Sequence, residues 1–481
     1  MSAAVRPLRI LLAATLLALA LFLAGALSAS ARAAGVPQIK HLFIIVMENE
    51  NAEDTYGANP PAPYLGNTMR EEGAFLPNYY GIGHQSLDNY LALISGQPPN
   101  LATQADCLIY TDFLAVTTEA NGVAVGQGCV YPTSVQTIAN QLENSGHTWR
   151  SYNQDMAGGA ALGEATTCRH PTLGAYDQTQ GATKTNQYAA RHDPFVYFHS
   201  ITDYETCSRN VVDLSRLPQD LKSPSTSPEY AFITPDLCYD GHDATCADET
   251  SPGGFDGINT FLEEWVPKIK ASAAYKDHGA IMVTFDESET GAESCCNETS
   301  GPNTFNNGGP QPGNGGGRVG AVIDSPCIKP GTVTQIAYDH FSALRWMEDN
   351  WGLSHLADAS TEALRPFGAD VFTNPECTTG LTEGPGGGGA AGAGGAVGPK
   401  THLKITPHRV KAGTLQLFHL SLTSGTVSCR EAAIIHFAGH KTHTSRKGKA
   451  RIKVRLPHPG RFTAIARPKK CKPSKATVRA R

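Results

Sequence analysis

The chain has 481 residues, 12 cysteines and a formal net charge of −5. That total hides a division: 20 of the 39 Lys and Arg residues lie between Lys400 and Arg481, against one acid, Glu431, so an acidic body precedes a basic tail. No cysteine spacing forms a zinc knuckle and no nucleic-acid motif accompanies the basic tail, which excludes the simplest zinc-finger and nucleic-acid readings.

Arg6 and Arg9 precede an apolar run from Ile10 to Leu27, and small residues with Ala-x-Ala spacing follow at 29–33. This predicts a secretory signal over 1–34, cleaved after Ala31, Ala33 or Ala34, and an extracytoplasmic, secreted protein. An even cysteine count beyond that segment predicts structural disulfides. Cys107 to Cys129 and Cys238 to Cys246 are short closures, while the adjacent Cys295 and Cys296 are expected to take different partners, with Cys327 and Cys377 nearest.

Between residues 36 and 380, apolar runs of strand length alternate with helical patterns. His41–Met47, Tyr230–Thr234, Ala280–Phe285 and Arg318–Ile323 read as buried strands, and helices are expected over 134–145, 257–275 and 334–350. Continuous rather than alternating hydrophobicity predicts an α/β fold, with a mostly parallel sheet covered by helices on both faces. Two polar stretches, 156–193 and 289–317, read as loops lining a site. A Gly/Ala-rich linker over 384–399 then separates this domain from a basic accessory domain, 400–481. Its short alternating strands, near 403–405, 415–422, 432–437, 452–456 and 461–466, predict a small β-sandwich closed by Cys429 and Cys471.

Ser86 is the organising residue of the large domain. It follows a loop containing Gly81 and Gly83 and opens an apolar run with helical spacing, so its hydroxyl lies at a helix N-terminus, where an anionic oxygen is favoured. Taken alone, a serine there most simply caps the helix. Polar groups follow three of the expected strands: Glu48 and Asn49, then Asp236 to Asp243, then Asp286 and Glu287. If those strands are neighbours, Glu48, Asn49, Asp240, His242, Asp286 and Glu287 converge in an oxygen-rich pocket suited to a divalent metal ion. Such a cation would activate a serine hydroxyl, and Asn89, one helical turn on, is placed to hydrogen-bond a phosphate oxygen. His84 and His340 read as ordinary polar histidines.

With these residues in view, the sequence resembles the bacterial phosphoesterase family of acid phosphatases and phospholipases C, within the alkaline phosphatase superfamily. The resemblance rests on Met47-Glu48-Asn49-Glu50, His84 to Tyr90, Pro235 to Asp243, Phe285-Asp286-Glu287-Ser288 and Asp339-His340-Phe341-Ser342. It implies an alkaline phosphatase-like core with Ser86 as nucleophile, Asn89 as phosphate clamp, and Glu48, Asn49, Ser86, Asp286 and Glu287 around the metal. Asp240 and His242 match a motif near the phosphate. Asp88 stands where the related Thr-x-Pro-Asn motif has proline.

The His192-Asp193-Pro194-Phe195 stretch is more similar to the acid phosphatase branch, including phosphatases acting on phosphoinositides. The expected activity is therefore phosphate monoester hydrolysis through a phosphoseryl intermediate. The alternatives are a phospholipase C-type diesterase acting at a phospholipid headgroup, or an inactive scaffold whose basic domain binds an anionic cell-envelope surface.

Overall fold

The computed structural model describes residues 36–158, 165–249, 251–377, 401–424, 433–438, 440–456, 460–467 and 474–481. The central strand, β1 (His41–Met47), is buried at all seven positions. Seven strands complete its sheet: β2 (Ala74–Leu76), β3 (Trp149–Asn153), β4 (Val211–Asp213), β5 (Tyr230–Thr234), β6 (Gly279–Phe285), β7 (Ala321–Asp324) and β8 (Thr332–Val333), in the order β8-β2-β7-β6-β1-β5-β3-β4. The β6-β1-β5-β3-β4 block is parallel throughout. Only β7 runs against its neighbours. The expected mostly parallel α/β sheet is present, and the strand expected over 318–323 is this reversed one.

Strands fully covered on both faces need apolar side chains at every position, which is what their sequences carry. The covering helices include α1 (Ser86–Ser95), α2 (Ile138–Ser145), α3 (Gly254–Ala271) and α4 (His340–Trp351). α2 starts later than its apolar pattern suggests because Thr137 and Asn140 form a reciprocal capping box. α4 begins where the Asp339 carboxylate accepts from Ser342 N at 2.7 Å.

The described residues between 401 and 481 form two sheets around one core that includes Phe418, Leu420, Ile435, Phe437, Val454 and Val478. The first contains β9 (Thr401–Thr406), β11 (Leu415–Ser424) and β14 (Lys449–Arg455). The second contains β10 (Arg409–Val410), β12 (Ile434–Phe437), β13 (His440–His443), β15 (Gly460–Arg467) and β16 (Ser474–Ala480). The strands β10, β13 and β16 have no counterpart in the sequence reading. The linker expected at 384–399 and the Cys429–Cys471 pair lie outside the described residues, as does the N-terminal segment. No helix among the described residues is long and apolar enough to cross a membrane.

Among the described residues five disulfides are formed: Cys107–Cys129, Cys168–Cys207, Cys238–Cys246, Cys295–Cys296 and Cys327–Cys377. The expectation for Cys295 and Cys296 is thereby corrected, because they bond to each other. Cys327 follows β7 and meets Cys377 where Asn374 N donates to the Cys327 carbonyl at 3.1 Å. That turn satisfies both distant thiols and leaves the adjacent pair to itself.

Candidate active site

The ends of β1, β5 and β6 meet because these strands are neighbours, with Met47 paired to Phe285 and Ile45 to Ile233. Glu48 is therefore placed beside Asp286, and its backbone N–H donates to the Asp240 carbonyl at 2.9 Å. Asn49 turns the chain away in the left-handed region, φ 49°, which asparagine tolerates better than most residues. Gly241 has φ 113°. A Cβ there would lie 2.7 Å from the Ile258 Cδ1 and 3.1 Å from the Glu48 carbonyl oxygen, so the turn that carries Asp240 and His242 requires glycine.

Ser86 is the first residue of α1, and Gln85 before it makes no side-chain cap. The simple capping reading is corrected by the hydroxyl itself, which donates to Glu48 Oε2 at 2.8 Å. Glu48 Oε1 accepts from the Tyr90 hydroxyl, also at 2.8 Å. Tyr90 lies one turn beyond Ser86, so two successive turns of α1 grip the same carboxylate. His192 lies between two acids, with Nε2 3.2 Å from Glu48 Oε1 and Nδ1 3.4 Å from Asp240 Oδ2. Its ring stacks on Tyr90 at 5.2 Å between centroids.

Asp286 Oδ1 accepts from the backbone N–H groups of Asn49 and Glu287 at 3.0 and 2.6 Å. His84 Nδ1 lies 2.9 Å from Glu287 Oε2, which brings His84 to the site. His340 is a positioning residue in the core: its Nε2 is 2.7 Å from the Asp286 carbonyl and its Nδ1 3.0 Å from the Tyr79 hydroxyl. Arg191 is also buried, 3.9 Å from Asp106, whose carboxylate accepts from Leu87 N at 3.0 Å beside Ser86.

Asn89 does not present a free amide. Its Oδ1 accepts from the N–H groups of Ile82 and Gly83, and its Nδ2 donates to the carbonyls of Gly83 and Gln85. Both donors are spent on the loop before Ser86, so the geometry supports a residue that fixes the nucleophile's loop rather than the expected phosphate clamp.

Burial and mutual repulsion govern the charges. Glu48 is held well above the usual carboxylate range by burial, then by Asp286. Burial raises Asp240, with Glu48 adding to it, and burial raises Glu287, with Asp286 and Glu48 adding to it. Burial also raises Asp286. His192 is pushed well below its ordinary value by burial and by Arg191. His242 moves the other way, to about 9, chiefly because its ring bonds to Asp243.

The buried oxygens Asn49 Oδ1, Asp240 Oδ2 and Asp286 Oδ2 accept no hydrogen bond. Unpartnered hard oxygens among repelling carboxylates have the donor chemistry a divalent cation takes; Glu48, Asn49, Asp286 and Glu287 would supply its ligands, although Glu48, Asp286 and Glu287 do not bring one carboxylate oxygen each within 4.8 Å of one another as they stand.

Residues 60–354 match the model of the Phosphoesterase family. The chain belongs to that family. The matched span contains Ser86, Asn89, Asp240, His242, Asp286 and Glu287, whereas Glu48 and Asn49 precede it. Among curated family relatives, the phosphate-repressible acid phosphatase of Penicillium chrysogenum is 28% identical over 60% of this chain and 54% of its own length. A probable acid phosphatase of Kluyveromyces lactis is 24% identical over 66% of this chain and 59% of its own. The phosphatidylinositol-3-phosphatase of Mycobacterium tuberculosis is 23% identical over 67% and 80% respectively. The chain thus spans little more than half the length of the first two.

The sequence reading missed Tyr90, His192 and Arg191 as site residues. Tyr90 was counted in the apolar face of α1, and the other two sit in a 3-10 turn, Ala190–His192, inside a polar stretch without periodicity. Their signal was local: an Arg-His-Asp-Pro run in a segment already expected to line the site.

Proposed function

We propose that the protein is a secreted, metal-dependent phosphomonoesterase acting through a phosphoseryl intermediate, with the 401–481 region an accessory β-sandwich. The observation that carries this reading is Ser86 Oγ, at the start of a helix, hydrogen-bonded to a buried carboxylate in a cluster of acids. The family's acid phosphatases support the reaction class, and the disulfides support an oxidising compartment.

In this reading the Ser86 proton passes to Glu48 as Oγ attacks phosphorus in line and the ester P–O bond breaks. Tyr90 holds Glu48 in place for that transfer, with the His192 ring stacked on Tyr90. The positive end of α1 favours the phosphoryl charge, while its Leu87 N–H stays bonded to Asp106. A bound divalent cation supplies charge neutralisation at the nucleophile and phosphoryl group. His242, exposed and kept protonated by Asp243, gives its proton to the departing alkoxide, and the same nitrogen then takes one from the water that cleaves the phosphoseryl ester. Glu48 returns its proton to the departing Ser86 Oγ, so the products are an alcohol, inorganic phosphate and regenerated Ser86.

The deciding experiment compares p-nitrophenyl phosphate with its diester and phosphocholine analogues, with and without chelator. Monoester turnover abolished by chelation supports the proposal; preference for a diester moves the protein to the phospholipase C-type branch.

Because the Asp243 contact keeps His242 protonated to about pH 9, the alkaline limb for poor leaving groups should fall as pH rises through that value. Asp243→Asn should draw the limb down by about one pH unit. An unmoved limb would remove His242 as the acid. Deleting residues 384–481 should leave turnover of a small soluble ester within about twofold, since every group named in the reaction precedes the deletion. A folded but inactive truncation would contradict the accessory assignment.

A further inference from the structure

The strand β14 reads Lys-Ala-Arg-Ile-Lys-Val-Arg, and its burial alternates without a break: Lys449, Arg451, Lys453 and Arg455 are exposed, while Ala450, Ile452 and Val454 are buried. Period-two burial puts all four cations on one face of the β9-β11-β14 sheet. Lys404 on β9 is exposed on that face as well, since it pairs with Ser421, which in turn pairs with Lys449. Lys449 Nζ donates to the Ser421 hydroxyl at 2.7 Å. The only acid between residues 400 and 481 is Glu431, and none of these five cations has a carboxylate partner among the described residues.

The same face carries Leu415 and Leu417, 54% and 39% exposed. They lie on β11, paired across the strand with Arg455 and Lys453. A solubilising charged surface gains nothing from two leucines at alternate positions of its central strand. A hydrated polyanion would leave them in water.

We propose that this face docks the protein on an anionic phospholipid bilayer. The five cations would lie against lipid phosphates while Leu415 and Leu417 enter the headgroup boundary. The two features select the occupant together: charge complementarity requires an anionic surface, and the leucines require one with an apolar interior. The proposal does not depend on the chemistry assigned to Ser86, and none of these residues belongs to the catalytic machinery.

The test is sedimentation of the full chain without its N-terminal apolar segment, which would bind lipid by itself. The vesicles are phosphatidylcholine, with or without phosphatidylglycerol, at low and raised salt. Binding is expected only with phosphatidylglycerol and should weaken with salt. The triple variant Arg451→Gln, Lys453→Gln, Arg455→Gln should bind about 100-fold more weakly, whereas Arg451→Lys with Arg455→Lys should bind as wild type does. Leu415→Ser with Leu417→Ser should weaken the binding that survives raised salt. All variants should hydrolyse a soluble ester at the wild-type rate, which separates loss of docking from loss of the catalytic fold. Equal binding to pure phosphatidylcholine, or a triple variant that binds normally, overturns the proposal. A leucine variant that binds like wild type at every salt concentration overturns the bilayer as occupant and leaves a hydrated polyanion in its place.

Discussion

Replacing Ser86 with alanine is expected to lower monoester turnover by about 10⁴-fold or more, because the step it performs has no substitute in the site. The hydroxyl makes one side-chain hydrogen bond, to Glu48, and its loss leaves Glu48 bonded to Tyr90 and in contact with His192. The variant should therefore fold, and its thermal transition should stay within a few degrees of wild type. Rapid quenching with a phosphorus-labelled ester should trap label on the wild-type chain and none on Ser86→Ala. Retained turnover in the variant would mean that water attacks phosphorus directly and that Ser86 only orients Glu48.

The second large effect is expected from Asp286→Asn, and it should separate activity from stability. Asp286 Oδ1 would keep an oxygen for its two backbone donors, while the unpartnered Oδ2 becomes an amide nitrogen. Cation affinity and turnover should both fall, turnover by about 10³-fold if several kcal/mol of charge stabilisation goes with the ion. In chelator, the same variant should melt higher than wild type.

The sign follows from the buried acids. A carboxyl group whose folded-state value is raised above its unfolded one destabilises the fold as pH climbs from the unfolded value through the folded one. Asp286 is raised in this way and in turn raises Glu48 and Glu287, so neutralising it relieves three groups at once. Each kcal/mol relieved should appear as roughly 2–4 °C in the melting temperature of a domain this large. Saturating cation should reverse the order, since wild type alone would gain the full binding energy. A chelated Asp286→Asn that melts lower than chelated wild type would show that the acids are not held in mutual repulsion.

The strands at the centre of the sheet were legible because full burial leaves one solution, an unbroken apolar run. The acids that follow those runs were legible for the same reason, since a strand that ends at the site must end in its chemistry. What escaped was set by partners far away in sequence. Asn89 has the spacing of a phosphate clamp, but its spacing cannot show that the carbonyls of Gly83 and Gln85 already use its donors. Tyr90 looks apolar in a helical pattern because its ring is buried, and only the position of Glu48 gives its hydroxyl a role. His192 arrives on a turn with no periodic signal, placed by its contacts with β1 and the 236–240 loop. Adjacency alone does not tell the partners of Cys295 and Cys296, because the turn that brings Cys327 to Cys377 depends on residues far away in sequence.

The disulfide pattern has a bearing on how the protein is made. Taken from the N-terminus, the ten cysteines of the five described bridges are joined first to second, third to fourth, and so on to ninth with tenth. No loop encloses another. An oxidant that links each cysteine to the next one to emerge during synthesis therefore arrives at the native set directly, without a round of thiol exchange to undo wrong pairs. A chain with nested bridges would have to wait for its far half; this one can lock each segment as it appears.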